Sequence, residues 1–410
     1  MQELIKKIKE LKDKSNIRTV IIVAILLSSS DVILLWHNLK PLFGAWIVLC
    51  VIMAKKSFES LRDNYIQIIV YTILAMNILI TMIVNSDYHG YTLWMQLLVA
   101  ILTTICFTPR EFLNVLSKMV NIISMWSLIC TFIAFCFPAW VRTFPNVTTG
   151  DRRVVFLLIN FSANLERENI RNYGIYAEPA IFAIYIGIAL FYMLFCCKKI
   201  NRFWFTILNL TLLTTRSMTG WVSVGFMYLI YLLYKKQYRK YAVLFIGAVI
   251  ATFVASPRLR MRFDIYGPSA DSVLSRLKSI VYGFKIWQEN PLWGVGAVHS
   301  QERFYFYNAL YEKYSYSGFS WTNMTTYLFA SFGILFGITF LVGLVGFPKQ
   351  FHLNWMFCIA FGILMLLLLS GEIMTYSPFV YIFMFYGWNY FGAKLHLRLG
   401  NVNKNVMCEK

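Results

Sequence analysis

Apolar runs of about 15 to 22 residues recur along nearly the whole chain, and a helix needs roughly 20 to cross the hydrocarbon of a bilayer. Short polar or basic stretches separate them. The pattern predicts about twelve spans, near 17–36, 39–54, 66–85, 91–107, 118–137, 176–197, 201–215, 219–234, 241–255, 321–345, 353–370 and 376–393. The opening stretch MQELIKKIKELKDKSN is polar and basic, has no cleavable-signal pattern and leads straight into a span. It reads as a helix lying near anionic headgroups. Two polar stretches are too long for turns, the loops 138–175 and 256–320. The expected fold is therefore all-α: one integral membrane domain over residues 1–410, a polytopic transmembrane bundle carrying two large loops.

Composition agrees, with 59% hydrophobic and only 14% charged residues. The net charge of +19 changes the picture through its placement. The tight basic loops CCKKINR, YKKQYRKY and AKKSFESLR fall on the side of the N-terminus, which the positive-inside rule makes cytoplasmic, along with the C-terminus. Both large loops and the turn at Arg216 then face outward. Their basic residues are mostly arginine, whose rigid fork of donors matches phosphate oxygens. Nucleic acid is not the expected partner of such a face; membrane lipid phosphates are. Of the eight cysteines none falls in an outer loop, so no structural disulfide is expected. There is no C-x-x-C, no metal-type histidine spacing and no D-x-D pair, so neither metal nor cofactor is expected. No repeat is visible, which weakens a transporter reading.

Four constellations are candidates for chemistry. RNYGIYAEP (171–179) carries Arg171, placed to hold a lipid phosphate, and Glu178, a general-base candidate or simply an acid at a helix N-terminus. TTRSMTG (214–220) is a tight turn with Arg216 among hydroxyls, an anion site or a snorkelling interface marker. The loop 256–320 releases Arg258, Arg260 and Arg262, then reads as an amphipathic helix over Ser272–Gln288. Val273, Leu277, Ile280, Val281, Phe284 and Trp287 form its apolar face, with Arg276 to one side. Asn290, Pro291, Gly294 and Gly296 of NPLWGVG then force turns where backbone approaches a ligand closely, and His299 follows. Last comes Glu372 in Ser370-Gly371-Glu372, a carboxylate at a span end, catalytic or ion-paired.

Taken in order, these pieces resemble the bacterial O-antigen polymerase and ligase superfamily of membrane glycosyltransferases. RNYGIYAEPA is similar to the family's Arg-x-x-Gly-x-x-x-Glu-Pro element, TTRSMTGWVSVG to its Ser-Arg-Thr-like span start, and SRLKSIVYGFKIWQENPLWGVG to its large-loop element. TNMTTYLFASFG (322–333) is similar to the His-Asn…Gly opening of the next span. The resemblance covers roughly Arg171 to Gly337. Ligases carry a histidine where this chain has Thr322, so the resemblance points to a polymerase. It implies a GT-C-like bundle in a bacterial cytoplasmic (inner) membrane, with its active site on the extracytoplasmic face. Both donor and acceptor would be undecaprenyl-diphosphate-linked glycans, and a separate chain-length regulator is a further candidate partner. It implies that Arg171, Arg216, Arg276 and Arg258 hold the diphosphate, with Glu178, then Glu372 and His299, as candidate bases. A ligase-type transferase and a lipid-linked oligosaccharide transporter are the alternatives.

Overall fold

The computed structural model describes residues 65–145, 153–162, 170–176, 178–235, 238, 241, 244, 246–247, 270–311, 321–371, 374–375 and 377–392. The expected spans 17–36 and 39–54, most of 241–255, and the candidates Arg258 and Glu372 lie outside them.

The described chain is mostly helical. Its helices are α1 (Tyr65–Val84), α2 (Gly90–Cys106), α3 (Pro109–Cys136), the one-turn α4 (Pro138–Val141), α5 (Pro179–Phe191, closing in a π-turn Tyr192–Cys196), α6 (Arg202–Thr215), α7 (Met218–Tyr234), α8 (Ala270–Glu289), α9 (Ala297–Tyr311), α10 (Met324–Gly346), α11 (Trp355–Leu369) and α12 (378–392). Among the described residues four helices are long and apolar enough to cross a membrane: Tyr65–Val84, Pro109–Cys136, Pro179–Cys196 and Met324–Phe351. The start of α3 lies well before the 118 expected from hydropathy. Thr108 and Glu111 form a reciprocal capping box and Pro109 takes the first turn, so the helix begins among polar residues.

The loop 138–175 departs from an all-α fold. It contains a two-stranded antiparallel sheet, β1 (Arg153–Phe156) and β2 (Ile159–Ser162), with Phe156 opposite Ile159. The connecting Leu157 and Leu158 both have positive φ, 49° and 73°. That is the backbone of a two-residue hairpin turn, normally made by Asn-Gly. Leucine carries no such signal, and the run VVFLLINF reads in sequence as undifferentiated apolar chain.

The chain divides into two compact units. Among the described residues one takes 102–221 and 377–379, the other 65–101, 222–376 and 380–392.

In the first unit α5 is buried all round, every residue from Pro179 to Phe191. Helices α3 and α6 run parallel and in step. Thr211 Oγ1 donates to the Ser124 carbonyl (3.3 Å), and one turn on Asn172 Nδ2 bridges Ser127 Oγ and Thr214 Oγ1, each at 3.0 Å. The hairpin packs on the upper part of α3 through Val154, Phe156, Ile159 and Phe161 against Cys130 and Ala134.

The second unit is built on α10, which is interrupted. Gly333 has φ 77° and ψ −175°, a conformation only glycine adopts readily. A break in an apolar helix must satisfy its freed backbone groups inside the protein. The 290–296 turn does this. Val295 and Gly296 N–H donate to the carbonyls of Ala330 (2.8 Å) and Ser331 (3.1 Å), and Ile334 N–H donates to the Pro291 carbonyl (2.8 Å). Helix α12 is tied to its neighbours by Gln67 Nε2 to the Phe385 carbonyl (3.0 Å), Gln350 Nε2 to that of Tyr386 (2.7 Å), and Trp388 Nε1 to that of Thr339 (2.9 Å).

Helix α8 matches the amphipathic segment expected over Ser272–Gln288, but not the face that packs. Ser275, Ser279, Tyr282, Gly283 and Ile286 are buried, whereas Leu277, Ile280, Val281 and Phe284 are exposed. The reason is steric: at Gly283 the helix comes so close to α10 that an added Cβ would lie 2.6 Å from Thr326. Close approach selects the small-residue face for the protein and leaves the bulky apolar stripe outside.

Candidate functional site

Two of the sequence constellations meet in the first unit. The segment 170–176 lies between the hairpin and the turn after α6. Asn172 N–H donates to the Thr214 carbonyl (3.0 Å), and Arg171 Nε donates to that of Thr215 (3.4 Å). Arg171 is thus bonded to the residue next to Arg216. Its guanidinium also stands over the Tyr173 ring, 5.8 Å from the centroid, a contact that restrains an otherwise flexible side chain. On the other side, Asn160 N–H donates to the Gly174 carbonyl (2.8 Å), and Asn160 Nδ2 donates to that of Tyr176 (3.1 Å). The Gly174 N–H closes onto Asn172 Oδ1 (2.8 Å). Gly174 has φ 59°, and a Cβ there would sit 2.8 Å from the Phe182 ring. Asn172 is the hub, fully buried with its amide used on both sides.

Arg216 closes α6 in the left-handed conformation, φ 52° and ψ 27°. Glycine is the usual residue for such a cap, and an L side chain there costs about 1–2 kcal/mol. Ser217 then caps the next helix, its Oγ accepting from Gly220 N–H (3.3 Å) while Thr215 Oγ1 accepts from Ser217 N–H (3.2 Å). Gly220 is needed for packing, since a Cβ would come within 2.5 Å of Ala183. Two half-buried arginines therefore share one bonded loop pair at the start of a helix, where amide dipoles also favour an anion.

Glu178 is the residue before α5, in extended conformation and half-buried. Its carboxylate makes no capping bond to the helix, so the simple N-cap role is not the one it plays. Nearby, the Tyr176 hydroxyl and Asn160 Oδ1 are buried with no hydrogen-bond partner among the described residues. The Tyr176 ring stacks on that of Tyr185, with 4.8 Å between centroids.

The other candidates belong to the second unit. The turns at Asn290, Pro291, Gly294 and Gly296 form as the sequence suggests, but the backbone they approach is that of α10 at its break. A Cβ on Gly294 would overlap the Ser331 carbonyl carbon, and one on Gly333 the Leu292 carbonyl. Arg276 is half-buried on α8, one turn before Ser279. His299 sits half-buried in the first turn of α9, and its imidazole makes no hydrogen bond to the described residues. Sequence reasoning passed over Asp87. Its buried carboxylate accepts from Val298 N–H (2.7 Å) and from His89 N–H (3.0 Å), capping α9 from outside that helix. A D-x-H in a short loop gave no sign of a partner two hundred residues away. Among the described residues no three His, Cys, Asp or Glu side chains gather where they could hold a metal ion.

Thr322, where the resembling ligases have histidine, is engaged locally: its hydroxyl lies 3.2 Å from Ser279 Oγ. Thr322 N–H also donates to that oxygen (3.0 Å), and Asn323 caps α10 through Thr326 N–H (3.0 Å). Thr322→Ala should therefore cost about 1 kcal/mol in a melt, the worth of one hydrogen bond. It should leave product formation unchanged; loss of product in a normally folded variant would give Thr322 a chemical role.

No family model matches this chain, and neither a curated protein nor a solved structure matches it.

Proposed function

We propose that the chain is a polymerase of undecaprenyl-diphosphate-linked oligosaccharide repeat units, in a bacterial cytoplasmic membrane. The observation that carries this reading is the pairing of Arg171 and Arg216 on one hydrogen-bonded loop pair, with Glu178 in the same unit. With twelve spans and both termini inside, as the basic loops suggest, this face is extracytoplasmic.

The chemistry needed is modest. An acceptor hydroxyl attacks the anomeric carbon of the growing glycan. The bond from that carbon to the phosphate oxygen breaks, and undecaprenyl diphosphate leaves with the electron pair. Arg171 and Arg216 stabilise the charge gathering on the leaving group, from positions fixed before the reaction. Glu178 takes the hydroxyl proton. Arg276 and Arg258, with His299 and Glu372 as reserve bases, remain further candidates from the resemblance.

The transporter alternative draws on the break in α10, since broken helices mark many transport sites. Here the Ala330 and Ser331 carbonyls and the Ile334 N–H are taken by the 290–296 turn, which leaves those groups no role in binding a transported ion. The ligase alternative lacks its histidine at Thr322.

Lipid binding tests the clamp. Protein in nanodiscs should retain undecaprenyl diphosphate in native mass spectrometry, and Arg171→Gln should weaken retention roughly tenfold or more, the worth of a charge-assisted bond. Equal retention by the variant would remove Arg171 from the site.

A further inference from the structure

The depth of the arginine pair follows from α3. Ser127 of α3 is bonded to Asn172, beside Arg171, and Asn172 to Thr214, two residues before Arg216. From Glu111, in the polar first turn of α3, to Ser127 is 16 residues, about 24 Å of helix. The hydrocarbon of a bilayer is about 30 Å thick. Beyond Ser127 the helix continues to Cys136, about another 14 Å. Its outer face there stays apolar: Ile129, Phe132 and Phe135 are exposed, and Phe137 and Trp140 continue the belt. The loop pair holding the arginines is thus about 6 Å inside the outer boundary of a hydrocarbon layer that starts at Glu111, with exposed apolar surface continuing beyond it.

The hairpin shares that level. Trp126 Nε1 donates to the Leu157 carbonyl (2.9 Å), fixing the hairpin tip one residue along α3 from Ser127. Leu157 and Leu158 are 47% and 60% exposed. Trp126 and Ile122 beside them are also exposed. In water, a strained turn of two uncovered leucines has every reason to be Asn-Gly. In hydrocarbon, leucine is the favourable choice and a polar turn residue the costly one. The strand behind the tip leads to the site: Phe161 pairs with Asn172 in an isolated bridge.

We propose that the tip of the 153–162 hairpin dips into the bilayer, Leu157 and Leu158 standing in the acyl chains beside Trp126. It walls the loop pair of Arg171 and Arg216 below the headgroup layer, so that an anionic lipid presents its phosphate sideways, from within the membrane. The immersion rests on the geometry of this unit alone; the lateral approach of substrate rests on the polymerase reading.

Cysteine labelling tests the immersion without needing activity. Leu158→Cys and the exposed α9 control Glu302→Cys are made in the full chain, in vesicles permeabilised to reagents on both sides. The parent chain corrects for native thiols. Leu158→Cys should react with a charged, water-soluble maleimide roughly tenfold or more slowly than Glu302→Cys, because hydrocarbon suppresses the thiolate that reacts. It should stay open to a lipid-soluble maleimide, and the two variants should label equally in SDS. Equal rates with the water-soluble reagent in vesicles would overturn the proposal. If Leu158→Cys is not recovered folded, Leu157→Cys carries the same comparison.

Discussion

Arg216→Gly should yield a protein that inserts and melts no lower than the parent yet makes almost no polymer. Arg216 occupies a left-handed position, φ 52°, that glycine adopts without strain. The substitution therefore relieves about 1–2 kcal/mol of backbone cost while deleting the guanidinium. The turn itself is held by groups that remain: the Thr214 and Thr215 carbonyls, the Thr215 and Ser217 hydroxyls, and the Asn172 amide. Turnover should fall about 10²–10³-fold, the usual loss when one preorganised donor is removed from a developing charge. Arg216→Ala should be equally inactive but should keep the strain, so its melting midpoint should lie below that of Arg216→Gly. Wild-type turnover in a folded Arg216→Gly protein would end the clamp hypothesis. A collapsed melt would instead make Arg216 structural.

The largest stability effect is expected at Gly333. An alanine there meets two obstacles: a φ of 77° with ψ −175°, and the Leu292 carbonyl in the space its methyl would need. The cheaper response is to close the helix, which strips the 290–296 turn of its three hydrogen bonds to α10. At about 1 kcal/mol for each bond, with about 1–3 kcal/mol of residual strain, the loss is several kcal/mol, a large part of a typical fold's stability. Gly333→Ala should thus show a much lower melting midpoint in detergent. Gly247→Ala, at a helical glycine with no described residue within 4 Å of the added methyl, should keep or slightly raise the midpoint. A Gly333→Ala melt matching that control would show that the break is not needed.

These two residues mark what the sequence makes legible. The Arg216 turn was visible because a lone arginine among hydroxyls interrupts two apolar runs, and helix ends followed where hydropathy changes sharply. The α3 start was missed because hydropathy discounts Arg110 and Glu111, although the Thr108-to-Glu111 capping box was there to be read. Gly333 was invisible as a break: a glycine inside an apolar run changes neither period nor polarity, and its conformation is dictated by a turn some forty residues earlier. The same holds for α8. Spacing located the helix and its stripe, but which face packs was decided by how closely Gly283 lets α10 approach. In the candidate site the charged residues were legible and their scaffold was not. Asn160 works through a backbone carbonyl and Asn172 through two hydroxyls and a backbone N–H, and nothing in an asparagine's sequence neighbourhood announces such partners. The Leu157–Leu158 turn was hidden because its chemistry suits a lipid setting, whereas turn signals are learned from water.

That this chain joins lipid-linked repeat units is open to one direct measurement. Purified protein in nanodiscs is mixed with the undecaprenyl-diphosphate-linked repeat unit of its own strain, in EDTA, and the products are separated on a gel. The expected product is a ladder of increasing repeat number, with undecaprenyl diphosphate released in step, and no ladder from Arg216→Gly. Intact repeat units after incubation with a folded, lipid-binding protein would contradict it.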